Sequence, residues 1–398
     1  MICTPKHDNI PAGFADIAPY SDREFKEKLT HLVSEPGFEH AVRYVMPDVD
    51  YPRFVQEILA VETQHEFQSR IMGNFLAILE KQTTYGISSD GVENVTDGKT
   101  FTFITNHRDI VLDASFLNLC LIRAGKPITQ VAIGNNLLIF DWIADLVKIN
   151  RSFIVKRDVK KFDALEAAKQ LSAYIHYTLN VTGESVWIAQ REGRAKDSND
   201  LTQESLVKML SLAGDSGVKE NILDARLLPV SISYEYDPND YLKVREFLLR
   251  RRNPDFRKTQ HDDLFSMETG ILKFKGHVMF RVGNCINSEL EKFDNPNRTE
   301  IIREACRLID REIHCGYEIF PGNYIAYDEM NASREFADRY TDADVKEFDR
   351  YIDGQLDKVD VEHITSEERV FMRNLMLTMY ANPLKNKIAA LRNCRLRK

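Results

Sequence analysis

The segment Asn106–Asp113 places His107 ahead of two aspartates, Asp109 and Asp113, and just after the β-rich run 100–105. A neutral imidazole can accept a proton from a hydroxyl group near pH 7, and a carboxylate can fix its tautomer and stabilise the imidazolium that forms. His107 is therefore a candidate general base. Asp109 or Asp113 could be its partner, and Asp109 could instead cap the helix predicted to follow. A structural or merely exposed loop histidine is the competing interpretation.

The tripeptide His107-Arg108-Asp109 also matches the start of the protein-kinase catalytic loop. That loop carries an asparagine five residues after the aspartate, where this chain has Ala114. No Gly-rich loop precedes the segment, Gly134 follows the Val-Ala-Ile of 131–133, and no Asp-Phe-Gly is present. These departures argue against a protein kinase.

Two later segments carry cations where predicted strands end. The first, 151–158, ends in Lys156, Arg157 and an aspartate. The second follows the strand 185–190 and contains, in order, Arg191, Glu192, Gly193, Arg194, Ala195 and Lys196. Cations at such positions can hold a phosphate, and a glycine lets backbone approach a ligand closely. Each segment alone is equally compatible with a solvated, charged turn.

Strand-like and helix-like segments alternate between residues 100 and 290. The predicted strands are 100–105, 126–134, 151–156, 185–190, 227–236 and 276–283. The helical segments between them are 114–124, 135–149 and 162–179. This alternation predicts an α/β fold with a twisted, largely parallel sheet flanked by helices.

Helical periodicity dominates both ends of the chain. We predict an N-terminal helical bundle over 1–95, an α/β domain over 96–290 and a helical C-terminal extension over 291–398. Ser21 to Glu24 fits a capping box, and a helix is expected to run from Pro52 toward Leu79. The polar stretch 86–100 is typical of a linker or loop.

The composition of the 398 residues excludes several classes of protein. A net charge of -8 argues against a dedicated nucleic-acid binder. The six cysteines show no CxxC spacing, which suggests neither a metal site nor a redox motif and fits reduced thiols in the cytoplasm. Residues 1–14 lack the apolar core of a signal peptide, and no run of about 18 apolar residues predicts a membrane span.

Two basic segments leave peripheral membrane contact open. Residues 242–258 hold seven Lys/Arg against two acids, and 381–398 hold six Lys/Arg and no acid. Such segments beside an apolar helix, here 135–149, favour anionic lipid surfaces. They could equally dock an acidic carrier protein or the phosphates of CoA, or simply be solvated.

Taken together, the segments resemble the four blocks of the glycerol-3-phosphate/lysophosphatidate acyltransferase superfamily, over about residues 100–290. The matching residues are Asn106, His107 and an aspartate; Phe153, Ile154 and Arg157 or Lys156; Glu192, Gly193 and Arg194; and Leu228, Pro229 and Val230. In the family, four residues separate the histidine from the aspartate, whereas five separate His107 from Asp113. We favour Asp113 over Asp109, with the extra residue absorbed in the turn. Arg194 follows the glycine directly, so Lys196 or Arg191 could share its phosphate contact.

The resemblance implies transfer of a fatty acyl group from acyl-CoA or acyl-carrier protein to a hydroxyl of glycerol-3-phosphate or lysophosphatidate, as in phospholipid synthesis. His107 would be the base and Asp113 would orient it, without metal or cofactor. The implied substrate-binding residues are Arg157, Glu192, Gly193, Arg194, Lys196 and Pro229. The expected location is the cytoplasm, with peripheral contact to the cytoplasmic face of a membrane. Alternatives are another lipid or sugar acceptor, a thioester hydrolase, or an inactive scaffold of the same fold.

Overall fold

A seven-stranded sheet lies at the centre of the fold. The computed structural model describes residues 10–157, 159–213 and 216–395. The strands are β1 (Gly86–Asp90), β2 (Thr102–Thr105), β3 (Gln130–Gly134), β4 (Ser152–Val155), β5 (Val186–Ala189), β6 (Leu227–Tyr234) and β7 (His277–Val282). Their order is β1-β7-β6-β2-β5-β3-β4, and every neighbouring pair is parallel except the antiparallel pair β6–β7. The predicted α/β fold with a largely parallel sheet is confirmed.

Helices precede the sheet, connect its strands and follow it. The N-terminal helices are α1 (Asp22–Ser34), α2 (Pro36–Val45), α3 (Tyr51–Leu59), α4 (Gln64–Glu66) and α5 (Gly73–Thr83), with a π-helical segment, Phe67–Met72, between the last two. Those between strands are α6 (Leu112–Arg123), α7 (Asp141–Ile149), α8 (Lys161–Tyr177), α9 (Glu204–Leu210), α10 (Val218–Asp224), α11 (Asp240–Arg252) and α12 (Gln260–Leu272). The C-terminal helices are α13 (Asn287–Leu290), α14 (Arg298–Gly316), α15 (Pro321–Met330), α16 (Asp342–Leu356) and α17 (Ser366–Arg395).

Helices cover both faces of the sheet. Successive residues of a strand point to opposite faces, so each strand packs against helices on both sides. On β2, Ile104 packs with residues of α8 and α14, whereas Phe103 packs with residues of α5 and α6. Every residue of β6 is buried, as expected for a central strand covered on both faces. The N-terminal and C-terminal helices therefore both contribute to the core around the sheet, and the three-domain division stays a prediction.

The polar stretch 86–100 is not wholly a linker or loop, because its first five residues form β1. This strand pairs with β7 alone, at the margin of the sheet, and Ser88, Ser89 and Asp90 are exposed. An edge strand with a polar, solvated surface lacks the apolar pattern by which strands are predicted. Its pairing partner lies far along the chain, so no local signal marks it.

The helix expected from Pro52 to Leu79 is broken. Helix α3 ends at Leu59, and a new helical segment begins after Thr63, whose hydroxyl accepts a hydrogen bond from the backbone N–H of Glu66. A threonine in that position caps a helix start, which explains the interruption. The capping box at Ser21 and Glu24 is present as predicted.

The apolar segment 135–149 is mostly half-buried, with Ile143, Asp145 and Ile149 buried and Phe140 exposed. Only Asp141–Ile149 is α-helical, and the Trp142 ring lies 6.3 Å from that of Phe38 on α2. The basic segment 242–258 is partly neutralised, because Arg251 and Arg252 pair with Glu367 and Glu368 at the start of α17. None of the helices described here is long and apolar enough to cross a membrane. Parts of two predictions, at 1–9 and 396–398, lie outside the described residues.

Candidate active site

His107 lies in the loop between β2 and α6, with its side chain 13% exposed. Its Nδ1 atom is 2.8 Å from Oδ2 of Asp113. Asp113 is in the first turn of α6, and this turn brings its carboxylate back toward the loop. The contact expected from the sequence between a His107 ring nitrogen and Asp113 is present. The catalytic roles of the two residues stay a prediction.

Asp113 is buried and held by four hydrogen-bond contacts. Its Oδ2 atom accepts from the backbone N–H groups of Arg108, at 2.7 Å, and Asp109, at 3.1 Å, besides the contact to His107. The hydroxyl of Tyr234, at the end of β6, donates to Oδ1 at 3.2 Å. Burial, followed by the charge of Asp113, raises the pKa of Tyr234 well above its ordinary value, so the phenol stays protonated. The carboxylate is therefore fixed in position, next to the positive end of a helix.

Asp109 has a structural role in this loop. Its Oδ1 atom accepts from the backbone N–H groups of Val111, at 2.9 Å, and Leu112, at 2.8 Å. It thus satisfies N–H groups at the start of α6, the alternative that the sequence left open. Burial, followed by the charge of Asp113, raises the pKa of its carboxyl group.

Asn106 joins the loop to the neighbouring strand β6. Its side-chain Nδ2 donates to the carbonyl of Ile232 at 2.9 Å, and its Oδ1 accepts from the N–H of the same residue at 2.8 Å. Two bonds from one amide to one residue leave little freedom for the backbone next to His107. This contact explains why an asparagine before the histidine suits the geometry.

An apolar cavity of about 660 Å³ lies beside His107. It is at the carboxyl ends of the parallel strands β2, β5, β3 and β4, where ligands bind in open α/β sheets. The N-terminal helical region supplies one wall, which includes Phe38, Val42, Phe54, Ile58, Phe67 and Phe75. The volume of the cavity falls within the range of about 300–1,000 Å³ typical of small-molecule sites.

Of the six predicted substrate-binding residues, two line the cavity of His107 and four are absent from its described lining. Arg157 and Glu192 line the cavity of His107, with 3.9 Å between the Arg157 Nη1 and Glu192 Oε1 atoms, and Gly193 follows with a positive φ of 66°. Arg194 and Lys196 are absent from the described lining of this cavity. The substrate-binding roles of these residues stay a prediction.

Three of the predicted residues contact other parts of the protein instead of lining the cavity. Lys196 Nζ forms an ion pair with Glu246 on α11. Arg194 Nη1 donates to the side-chain oxygen of Asn239 at 3.1 Å when that amide is oriented to accept it. Pro229 is buried in β6, where its carbonyl accepts from the N–H of Gly283 at 2.8 Å. These contacts hold the loop after β5 and strand β6 in place, and none of the three residues is in the described lining of the cavity.

Arg191 and Trp187 complete the surroundings of His107. Arg191 lines the cavity, and its buried Nε atom has no hydrogen-bond partner among the described residues. The Trp187 ring on β5 lies 6.0 Å from the imidazole, edge to face. The cation run after β5 marked Arg191 as a possible anion contact, but no sequence signal pointed to Trp187 or to Tyr234.

For the acyl transfer expected from the sequence, Tyr234→Phe should lower kcat about tenfold or more, with little change in KM. The substitution removes one donor to the Asp113 carboxylate, and a hydrogen bond to a charged group contributes about 1.5–3 kcal/mol. Steady-state kinetics would measure the change. Tyr340→Phe is the matched control, because that hydroxyl donates to Asp328, outside the cavity. Unchanged kcat in Tyr234→Phe would show that the hydroxyl does not support the pair.

Searches with protein-family models and curated proteins gave no match. Among solved structures, the chain is similar to the crystal structure of the 1-acyl-sn-glycerophosphate (LPA) acyltransferase PlsC from Thermotoga maritima. The two share 14% sequence identity, and the match covers 72% of this chain and 94% of that chain with a TM-score of 0.34. At this identity and TM-score, the similarity does not bear on what this chain acts on.

Proposed function

We propose that this protein is an acyltransferase that moves a fatty acyl group from a thioester to a hydroxyl, with His107 as general base. The observation that carries the proposal is the His107–Asp113 pair at the side of an apolar cavity of about 660 Å³. An acyl chain gains free energy when it leaves water for apolar surroundings. A histidine oriented by a carboxylate is suited to deprotonate a hydroxyl beside that chain.

The contact between His107 and Asp113 supports a specific path for the proton. When Nδ1 of His107 carries the proton that faces Asp113, Nε2 keeps a lone pair for the acceptor hydroxyl. The hydroxyl oxygen attacks the thioester carbonyl carbon while its proton moves to Nε2. The tetrahedral intermediate then collapses, the C–S bond breaks, and the leaving sulfur takes the proton from Nε2. Asp113 stabilises the imidazolium between these two proton transfers.

Two arginines support an anionic acceptor such as glycerol-3-phosphate or lysophosphatidate. Arg157 and Arg191 line the cavity that contains His107, and Nε of Arg191 lacks a hydrogen-bond partner in the described structure. An arginine fork is well suited to grip a phosphate. Glu192, whose side chain is 70% exposed, lies close enough to Arg157 to orient its guanidinium.

A second candidate is the same transfer to an acceptor without phosphate, such as another lipid or a sugar. The contacts of Arg194 and Lys196 favour it, since the first faces Asn239 and the second pairs with Glu246. Fewer cations are then left for a phosphate than the sequence suggested. Acyl-CoA and acyl-carrier protein are both retained as donors.

Thiol release tests the proposal. Palmitoyl-CoA and palmitoyl-carrier protein would each be incubated with glycerol-3-phosphate, lysophosphatidate, or monoacylglycerol as the phosphate-free counterpart. We expect release that depends on an acceptor, and the preference between lysophosphatidate and monoacylglycerol separates the two candidates. Release without any acceptor would indicate a thioester hydrolase. Absence of release with every combination would contradict the proposal for these acceptor classes.

A further inference from the structure

A second cavity, of about 300 Å³, lies next to the C-terminal end of α12. Met267 and Ile271 of α12 line the cavity of His107, whereas Lys273 and Phe274, directly after the helix, line the second one. The two cavities share no lining residue among those described. The proposed acyl transfer leaves this second cavity without a role.

Aromatic rings form much of its surface. Tyr85 and Phe274 pack edge to face with 4.7 Å between ring centroids, although they are 65% and 41% exposed. Tyr236 and Tyr351 lie 4.4 Å apart, and the Tyr236 ring is also 6.3 Å from Phe274. The two exposed rings, Tyr85 and Phe274, give the cavity an aromatic surface on which a planar ring can stack.

The charged groups of the cavity are mostly unpaired. In the described parts of the chain, the side chains of Lys273 and Glu347 have no ion-pair or hydrogen-bond partner. The ammonium of Lys358 donates to the amide oxygen of Gln355 and lies 5.9 Å from the Tyr241 ring, without a carboxylate. Two ammonium groups and one carboxylate are therefore available to a ligand.

We propose that this cavity binds a purine nucleotide. The planar base would stack on the aromatic rings, the ammonium groups of Lys273 and Lys358 would meet the phosphates, and the Glu347 carboxylate would accept from ribose hydroxyls or a base amino group. A neutral sugar would leave both cations unused, so the charge favours a phosphorylated ligand. The same chemistry is offered by a free nucleotide and by the nucleotide end of CoA. As a site for a free nucleotide it is independent of the chemistry at His107, whereas a role in binding CoA rests on the proposed acyl transfer.

Calorimetric titration of the full chain with ADP, with CoA, and with phosphopantetheine, which lacks the nucleotide, tests the site. We expect ADP or CoA to bind and phosphopantetheine not to compete. Lys273→Ala and Tyr85→Ala each remove an exposed side chain and should weaken binding at least tenfold. Lys346→Ala makes the same charge change at an exposed position of α16 outside the cavity, and it should leave binding unchanged.

The two nucleotide sources are separated by affinity. Tighter binding of ADP than of CoA identifies a free nucleotide, and the reverse order identifies the donor. Absence of binding, or binding that neither Lys273→Ala nor Tyr85→Ala weakens while circular dichroism shows both folded, would overturn the proposal. His107→Ala should bind as the wild type does, so loss of the proposed acyl transfer and loss of this site remain separate results.

Discussion

Replacing His107 with alanine is expected to lower kcat for acyl transfer by about 10²- to 10⁴-fold, the usual contribution of a general base. The imidazole lines the cavity, and its Nδ1 atom contacts the buried carboxylate of Asp113. Its loss leaves the acceptor hydroxyl without a base in contact. Because the side chain is partly exposed, the folded state should persist. Acceptor-dependent thiol release and a thermal melt would measure the two effects.

Two companion variants sharpen this result. Asp113→Asn keeps the shape of the side chain but removes the charge that stabilises the imidazolium, so kcat should also fall strongly. His261→Ala is the matched control, since that histidine is exposed on α12 and does not line the cavity. Wild-type kcat in His107→Ala would refute the assignment of the base. Equal losses in His107→Ala and His261→Ala would indicate general damage instead.

Asp200→Asn is expected to destabilise the protein by about 3–5 kcal/mol, because it leaves a buried guanidinium without its closest carboxylate. Oδ2 of Asp200 lies 2.7 Å from Nη2 of Arg108, and the side chains are 0% and 6% exposed. The hydroxyl of Tyr317 donates to the same carboxylate oxygen at 2.9 Å. Urea unfolding monitored by fluorescence would give the free energy of unfolding.

An exposed ion pair provides the contrast. Glu57→Gln breaks a pair with Arg53 at 3.2 Å in which both side chains are well exposed. Such pairs contribute about 0–1 kcal/mol, so little change is expected.

The double variant Arg108→Met with Asp200→Asn removes the buried charge itself and should recover part of the loss. A change below about 1 kcal/mol in Asp200→Asn would show that Arg108 finds adequate partners elsewhere.

The part of the site that could be predicted from the sequence is the part that local geometry determines. His107 and Asp113 are six residues apart in one strand–loop–helix unit, so a short turn suffices to bring them together. Arg157 and Glu192 reach the same cavity because β4 and β5 run parallel to β2, and their carboxyl ends share one edge. Periodicity placed these residues at the ends of predicted strands, and the resemblance to the four acyltransferase blocks singled out Asp113, Arg157 and Glu192.

Contacts between distant segments could not be predicted in the same way. Lys196 pairs with Glu246, fifty residues further along, and nothing in the charged turn indicates that partner. Tyr234 reaches Asp113 across two neighbouring strands, from a run that reads only as a buried strand. The wall of the cavity formed by Phe38 and Phe54 depends on helix packing that periodicity leaves open.

The pairing of β1 with β7 has a consequence for how the chain folds. Gly86 of β1 is in register with His277 of β7, so closing this pair joins residues about 190 positions apart. The entropy of closing such a loop must be overcome before the contact stabilises the protein, and long-range parallel pairing is intrinsically slow. We expect β2 to β6 to assemble first and β1 to dock late. During synthesis, the margin of the sheet therefore stays open until β7 has left the ribosome.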